Sequence, residues 1–226
     1  MKFLILLIFL TIPLFATPSK VIYIPNTTYN TMGNLHLDAD NYFIQGERGV
    51  TESEFGLTMQ FLPFRNLKFQ ASVDYRANLS SPIYLSGKLV IPLPSSFPNI
   101  ALGVYNIGVT SETLKPVYYL LFSKEFGRLG KFLLGGYLGD KNTLRDNNGE
   151  KDNKGLLAGY EVYLNPLSRN LYFGVDYFMG ENILSAVSFG AGWRFAKNVM
   201  IKFSYHIKLR RESNNLIGLQ INIDTW

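Results

Sequence analysis

Ser204 and His206 stand two positions apart near the end of the chain, and Asn222 and Asp224 take equivalent places in the run that follows. Serine as nucleophile, histidine as base and an Asn or Asp to orient the ring are the parts of an acyl-transfer site. A second grouping, His36, Asp38 and Asp40, has the residue types for acid–base chemistry or metal binding. A third is the polar stretch Asp140 to Gly155, where Asp146, Asn148, Glu150 and Asp152 alternate around Gly149 in a loose echo of a calcium loop.

Each grouping also has a plainer reading. Residues i and i+2 on one face of a strand lie ~6.5–7 Å apart, whereas a nucleophile and its base need ~2.6–3.2 Å, so Ser204 and His206 are not expected to couple. Two histidines in the whole chain make a transition-metal site a poor fit. The lack of cysteine removes disulfides, thiolate metal sites, a thiol nucleophile and a lipidated cysteine. A calcium loop centred on Gly149 needs Asp at 144 and Glu at 155, where this chain has Leu144 and Gly155. That stretch reads as a solvated hairpin tip, with Ca²⁺ or a partner as the alternative. No catalytic residue, cofactor or metal is assigned, and an enzyme is not expected.

What positions these residues is an alternation that runs the length of the chain. Twelve segments carry it, at about 35–44, 53–62, 67–76, 83–92, 100–110, 116–126, 131–139, 155–164, 171–179, 185–195, 199–209 and 215–225. In the clearest, Leu67, Phe69, Ala71, Val73 and Tyr75 oppose Lys68, Gln70, Ser72, Asp74 and Arg76. Side chains on a strand alternate faces with period two, so each segment has an apolar and a polar face. The segments 100–110 and 116–126 are apolar on both faces and leave their phase open. Runs of about ten residues suit a tilted bilayer crossing. Backbone groups cannot stay unpaired in lipid, so such strands must close on themselves.

The expectation is an all-β, up-and-down antiparallel transmembrane barrel of about 12 strands with both termini periplasmic. The longest and most polar connection, 140–154, then falls outside, as it should. The polar phase assigns Asp38, Asp40, Lys68, Asp74, Arg76, Lys88, Glu161, Asp176, Lys202, His206, Lys208 and Asp224 to the lumen. A Lys or Arg on the other phase would cost roughly 2–4 kcal/mol at mid-membrane. Charges of both signs permit either a narrow pore or an ion-pair network that blocks the barrel. The competing fold is a secreted β-sandwich, which also alternates. Aromatic residues near both strand ends (Phe61, Phe69, Phe173 and Phe195 at one, Phe43, Tyr75 and Tyr177 at the other) favour the barrel. The chain ends on Trp226, an aromatic terminus out of phase with the apolar face of its segment.

Composition agrees. The 226 residues suffice for one all-β domain. Aromatic content is 15%, yet mean hydropathy is only +0.05, far below that of a helical membrane protein. The net charge of +5 comes from scattered basic residues, with no cluster to track phosphates, so nucleic acid is not an expected partner. Met1-Lys2, the apolar run Phe3 to Phe15 and Ala16 read as a signal peptide over 1–16. Residues 17–34, polar and turn-rich around the island Val21-Ile-Tyr-Ile24, read as a periplasmic lead-in able to tuck into the barrel mouth, and 35–226 as the barrel.

The combination of Ile22-Tyr-Ile-Pro25, Leu35-His-Leu-Asp-Ala-Asp-Asn-Tyr-Phe43, Leu62-Pro-Phe64, Gly135-Gly-Tyr-Leu-Gly-Asp-Lys-Asn142, Asn148-Gly-Glu-Lys-Asp-Asn153 and Phe195-Ala-Lys-Asn198 resembles a family of small porin-like outer-membrane β-barrel proteins of Gram-negative bacteria. The resemblance implies a secreted route and a porin-like barrel, and it brings no catalytic residues. The expected function is a narrow channel for small solutes. The alternatives are a non-conducting structural or interaction barrel, or an embedded hydrolase acting through Ser204 and His206. The expected partners are outer-membrane lipid, the outer-membrane assembly machinery and small solutes, with the barrel acting as a monomer.

Overall fold

The computed structural model describes residues 20–28, 34–47, 49, 52–64, 67–77, 79–164, 170–211 and 213–225. The expected signal peptide, Trp226 and the side chain of Phe61 lie outside the described residues. Twelve strands follow in order: β1 (Leu35–Ile44), β2 (Glu52–Phe64), β3 (Leu67–Arg76), β4 (Ile83–Ile91), β5 (Asn99–Gly108), β6 (Leu114–Glu125), β7 (Lys131–Gly139), β8 (Lys154–Tyr163), β9 (Leu171–Phe178), β10 (Ala186–Ala196), β11 (Val199–Lys208) and β12 (Leu216–Asp224). Each pairs antiparallel with the next, and β12 closes on β1 in a register running from His36 opposite Asp224 to Ile44 opposite Leu216. A closed up-and-down barrel replaces the sandwich alternative, which would leave four sheet edges. Strand bounds differ from the sequence expectation by at most two residues.

Beyond the last β1–β12 pair the Thr225 amide donates to the Leu35 carbonyl at 2.8 Å. The chain therefore enters and leaves the barrel at one end, here the termini end. The other is the distal end. The long 140–153 connection lies distally.

The alternation decides which residues face the lumen and which face outward. Lumenal Tyr84, Ser86, Lys88 and Val90 of β4 are buried, while Leu85 between them is exposed. The two ambiguous strands are resolved: Ala101 of β5 with Val117, Tyr119 and Leu121 of β6 point inward, and Leu102, Tyr118, Leu120 and Phe122 point outward. Asn106 interrupts β5 with a positive φ of 60°, at the bulge where pairing with both neighbours shifts register. Asparagine tolerates that left-handed conformation better than most side chains. Around the outside, Leu102, Phe132, Leu134, Leu138, Leu156, Trp193 and Phe203 are each at least half exposed. A continuous apolar band of this kind is untenable in water and is what a bilayer demands.

Val175 lies mid-strand on the outer face of β9. Val175→Lys should lower the unfolding free energy in lipid vesicles by about 2–4 kcal/mol, measured by denaturant titration of tryptophan fluorescence.

Candidate functional site: the barrel lumen

The lumen has two unlike walls. From β11 through β12 and β1 to β4 the inward residues are mostly polar: Lys202, Ser204, His206, Gln220, His36, Asp38, Asp40, Glu54, Thr58, Gln60, Gln70, Ser72, Asp74, Ser86 and Lys88, with Met200, Tyr42, Tyr84 and Val90 among them. From β5 to β9 they are mostly apolar or aromatic: Ala101, Val117, Tyr119, Leu121, Leu133, Tyr137, Leu157, Tyr172 and Phe178. Facing positions on adjacent strands place Asp40, Glu54 and Arg76 in one row across β1, β2 and β3. The Arg76 guanidinium donates to Glu54 at 3.4 Å, reaches Asn106 Oδ1 at 2.5 Å and lies 4.3 Å from the Tyr84 ring centroid.

The residues 20–28, which precede β1, run inside the barrel. Val21, Ile22 and Ile24 are fully buried and pack on the apolar wall. Their backbone is held by barrel side chains. One Asp176 oxygen accepts the amides of Ile22 (2.9 Å), Tyr23 (2.6 Å) and Ile24 (3.1 Å). The Val21 carbonyl takes the Tyr172 hydroxyl at 2.9 Å and faces Lys202 Nζ at 3.4 Å, and the Ile22 carbonyl takes Gln220 Nε2 at 3.2 Å. Lys88 Nζ donates to the carbonyls of Asn26 (3.2 Å) and Thr28 (2.7 Å). Lys20 reaches the polar wall, 3.2 Å from Asp40 and 3.6 Å from Glu54.

This segment stands between two cavities. The distal one, of about 600 Å³, is lined by Tyr23, Tyr42, Tyr105, Arg76, Lys208 and Glu54 among others. The one at the termini end, of about 380 Å³, is lined by Asn26, His36, Lys131, Glu161, Arg194 and Lys202 among others. Lys20 lines both. Distally, the base of the 140–153 connection folds inward instead of waving in solvent. Leu144 is buried beside Gly139, and Asn182 Nδ2 donates to the Tyr137 hydroxyl (2.8 Å) and the Asp152 carbonyl (2.7 Å). Asp140 opens that connection by accepting the Thr143 hydroxyl (2.8 Å) and the amides of Thr143 and Asn142. The Thr143 hydroxyl, with those amides, holds its carboxyl below the usual carboxylate range.

The residues expected in the lumen divide by environment. Asp40, Asp74, Lys88, Glu161, Asp176, Lys202 and His206 are buried inside it. The Asp38 side chain is 7% exposed and that of Arg76 19%. Glu161 pairs with Lys131 and meets the Tyr172 hydroxyl at 3.1 Å. Lys208, at the distal end of β11, donates to the Ile183 carbonyl and lies 5.2 Å from the Tyr23 ring centroid. Lys68 is partly buried near the termini end. Asp224 is half exposed at the mouth there, 2.8 Å from His36 Nδ1. Lys20, Tyr172, Gln220 and Lys131 were not among the expected residues. Gln220 and Tyr172 lie in the polar phase of strands whose phase was clear, so the alternation already held them. Lys20 lies in a stretch with no alternation to read.

The expectation that Ser204 and His206 would stay apart is corrected. Ser204 Oγ lies 2.9 Å from His206 Nε2, because the two side chains lean together over a shared face and close the Cα spacing. His206 Nδ1 meets Ser188 Oγ at 2.9 Å, so the ring bridges two hydroxyls and no carboxylate orients it. It is fully buried between the rings of Tyr23 and Tyr42 at centroid distances of 5.3 and 5.6 Å. A nucleophile there has neither an orienting acid nor access for an ester. Around Gly149, Asp146 Oδ1 accepts the amides of Asn148 and Glu150, which commits it to the hairpin tip. Among the described residues no group of three or more His, Cys, Asp or Glu is placed to hold a metal ion.

No family model and no curated relative matches the chain. Solved structures match its fold. The NanC porin aligns with a TM-score of 0.55 at 8% identity, covering 85% of this chain and 98% of that one. The KdgM porin aligns with a TM-score of 0.56 at 9% identity, covering 83% and 98%. An outer membrane channel from Pseudomonas putida F1 aligns with a TM-score of 0.51 at 11% identity, covering 93% and 100%. The barrel therefore has the architecture of outer-membrane porins and channels.

The Asp140 carboxylate should titrate below about 3.9, the value for an unperturbed Asp, when followed by the Thr143 amide resonance. With its pKa depressed on folding, its contribution to loop stability is complete above the unfolded value and is lost as pH falls through the folded one. Incubation with p-nitrophenyl esters should give no turnover above background. Turnover that disappears in His206→Ala would restore the hydrolase reading.

Proposed function

We propose that the chain is an outer-membrane barrel, its termini periplasmic, that serves as a narrow porin-like channel for small polar solutes. One observation carries this reading. Cavities enter from both ends, and the polar wall runs from one to the other past Lys20. On that wall Gln60 Oε1, both amide atoms of Gln70 and Ser72 Oγ are buried without a protein partner among the described residues. Each such group costs about 1–3 kcal/mol if left dry, so this part of the wall, on β2 and β3, calls for water or a polar solute beside it. The distal cavity offers tyrosine faces together with Arg76, Lys115, Glu52 and Glu54. That mixture suits a small hydrogen-bonding solute better than an apolar one. The porin fold of the neighbours supports the same reading. A closed sheet leaves no edge for a second copy to pair with, which favours a monomer in lipid, delivered by the outer-membrane assembly machinery.

A second reading, a non-conducting structural barrel, is favoured by the burial of residues 20–28 across the lumen. Planar bilayers separate the two. The channel reading expects discrete steps of small conductance. Their absence from both the wild type and a variant lacking residues 20–28, with folding verified by a heat-modifiable gel shift, would support the non-conducting barrel.

A further inference from the structure

We propose that residues 20–28 are a releasable gate, bound in cis to a seat in the barrel wall built for their backbone. The proposal rests on the channel reading above and says how that channel closes.

The segment is attached in a way that lets it leave. Among the described residues, no backbone–backbone hydrogen bond joins it to a strand. Its own pairings are Lys20 with Pro25 and Val21 with Ile24. Every polar tie to the barrel runs through a side chain: Asp176 on three amides, Tyr172, Lys202, Gln220 and Lys88 on four carbonyls, Asp40 and Glu54 on Lys20, Ser123 on the Thr27 hydroxyl and Lys131 on the Thr28 hydroxyl. Releasing it breaks no rung of the barrel ladder. It also turns a carboxylate, two ammonium groups and an amide toward water, which hydrates them readily.

The wall is shaped for this occupant. Gly174 and Gly190 face each other across β9 and β10, and Gly159 lies opposite Asp176 on β8. They leave a hollow that Ile22 and Ile24 fill. A Cβ at Gly190 would lie 2.2 Å from Ile22 Cδ1, one at Gly174 3.0 Å, and one at Gly159 3.2 Å from Ile24 Cδ1. Recognition thus pairs backbone hydrogen bonds with a fitted apolar seat, as in binding of an extended peptide. The segment also lies where a gate must. Tyr23 and Pro25 line the distal cavity, Asn26 and Thr28 the other, and Lys20 both.

The test uses the full chain in planar bilayers. Because the chain has no cysteine, an Ile22→Cys, Gly190→Cys double variant offers only the intended pair of thiols. With the cross-link verified by mass spectrometry, the oxidised protein should lose conductance and regain it on reduction. Gly190→Leu fills the Ile22 seat and should raise the open fraction or step size. Asp176→Asn, which exchanges a charged acceptor for a neutral one, should raise the open fraction about tenfold. A silent wild type that conducts as Gly190→Leu or after deletion of residues 20–28 would also support the gate. If wild type conducts and the cross-linked protein conducts equally, the solute path bypasses the segment and the gate is wrong while the channel stands. If wild type, Gly190→Leu and the deletion variant are all silent though folded, the channel reading fails and the gate falls with it.

Discussion

Closure of β12 on β1 is the constraint from which the rest of the structure follows. A strand in lipid has no water for its amides and carbonyls, and an open sheet would leave two edges unpaired at several kcal/mol per group. The register that joins His36 to Asp224 and Ile44 to Leu216 removes both edges. Once the sheet is a cylinder, the period-two alternation has only two destinations. One set of side chains faces the hydrocarbon and must be apolar. The other faces an enclosed interior and must be satisfied there.

Twelve strands enclose more space than wall side chains alone can fill, since about eight already make an interior just wide enough for them. The two walls of this lumen answer that differently. Between β5 and β9 the inward face carries Tyr119, Leu121, Leu133, Leu157 and Phe178, which need an apolar partner, and Val21, Ile22 and Ile24 supply it. Between β11 and β4 the wall carries charge and amides, and Lys20 pairs with its Asp40 and Glu54 carboxylates. The segment 20–28 is therefore amphipathic in an unusual sense: apolar side chains meet one wall while Lys20 crosses to the other.

Much of the barrel is legible in the sequence. In β3, Lys68 to Arg76 and Leu67 to Tyr75 alternate cleanly, because one face meets lipid and the other a polar lumen. That contrast was missing in β5 and β6, where Tyr119 and Leu121 face not water but an apolar segment far away in sequence. Both faces are greasy for different reasons, and no local pattern separates them. Ser204 and His206 show a related limit. Strand geometry sets the distance between Cα atoms, but the 2.9 Å contact depends on how side chains lean once Tyr23 and Tyr42 enclose the ring.

The sequence by itself determined the class of fold, the strand order and the phase of most strands, because an alternating pattern interpreted under the rules of a bilayer has few solutions. It also determined that Asp176, Lys88 and Lys202 would point inward. Only the tertiary structure decided what they point at. Residues 20–28 have no alternation and no helix period that could reveal their place. Their position is set by contacts with Asp176, Tyr172, Lys202 and Gln220, roughly 150 to 200 positions later in the chain. Such contacts come into being only when the cylinder closes and brings distant strands around a common centre.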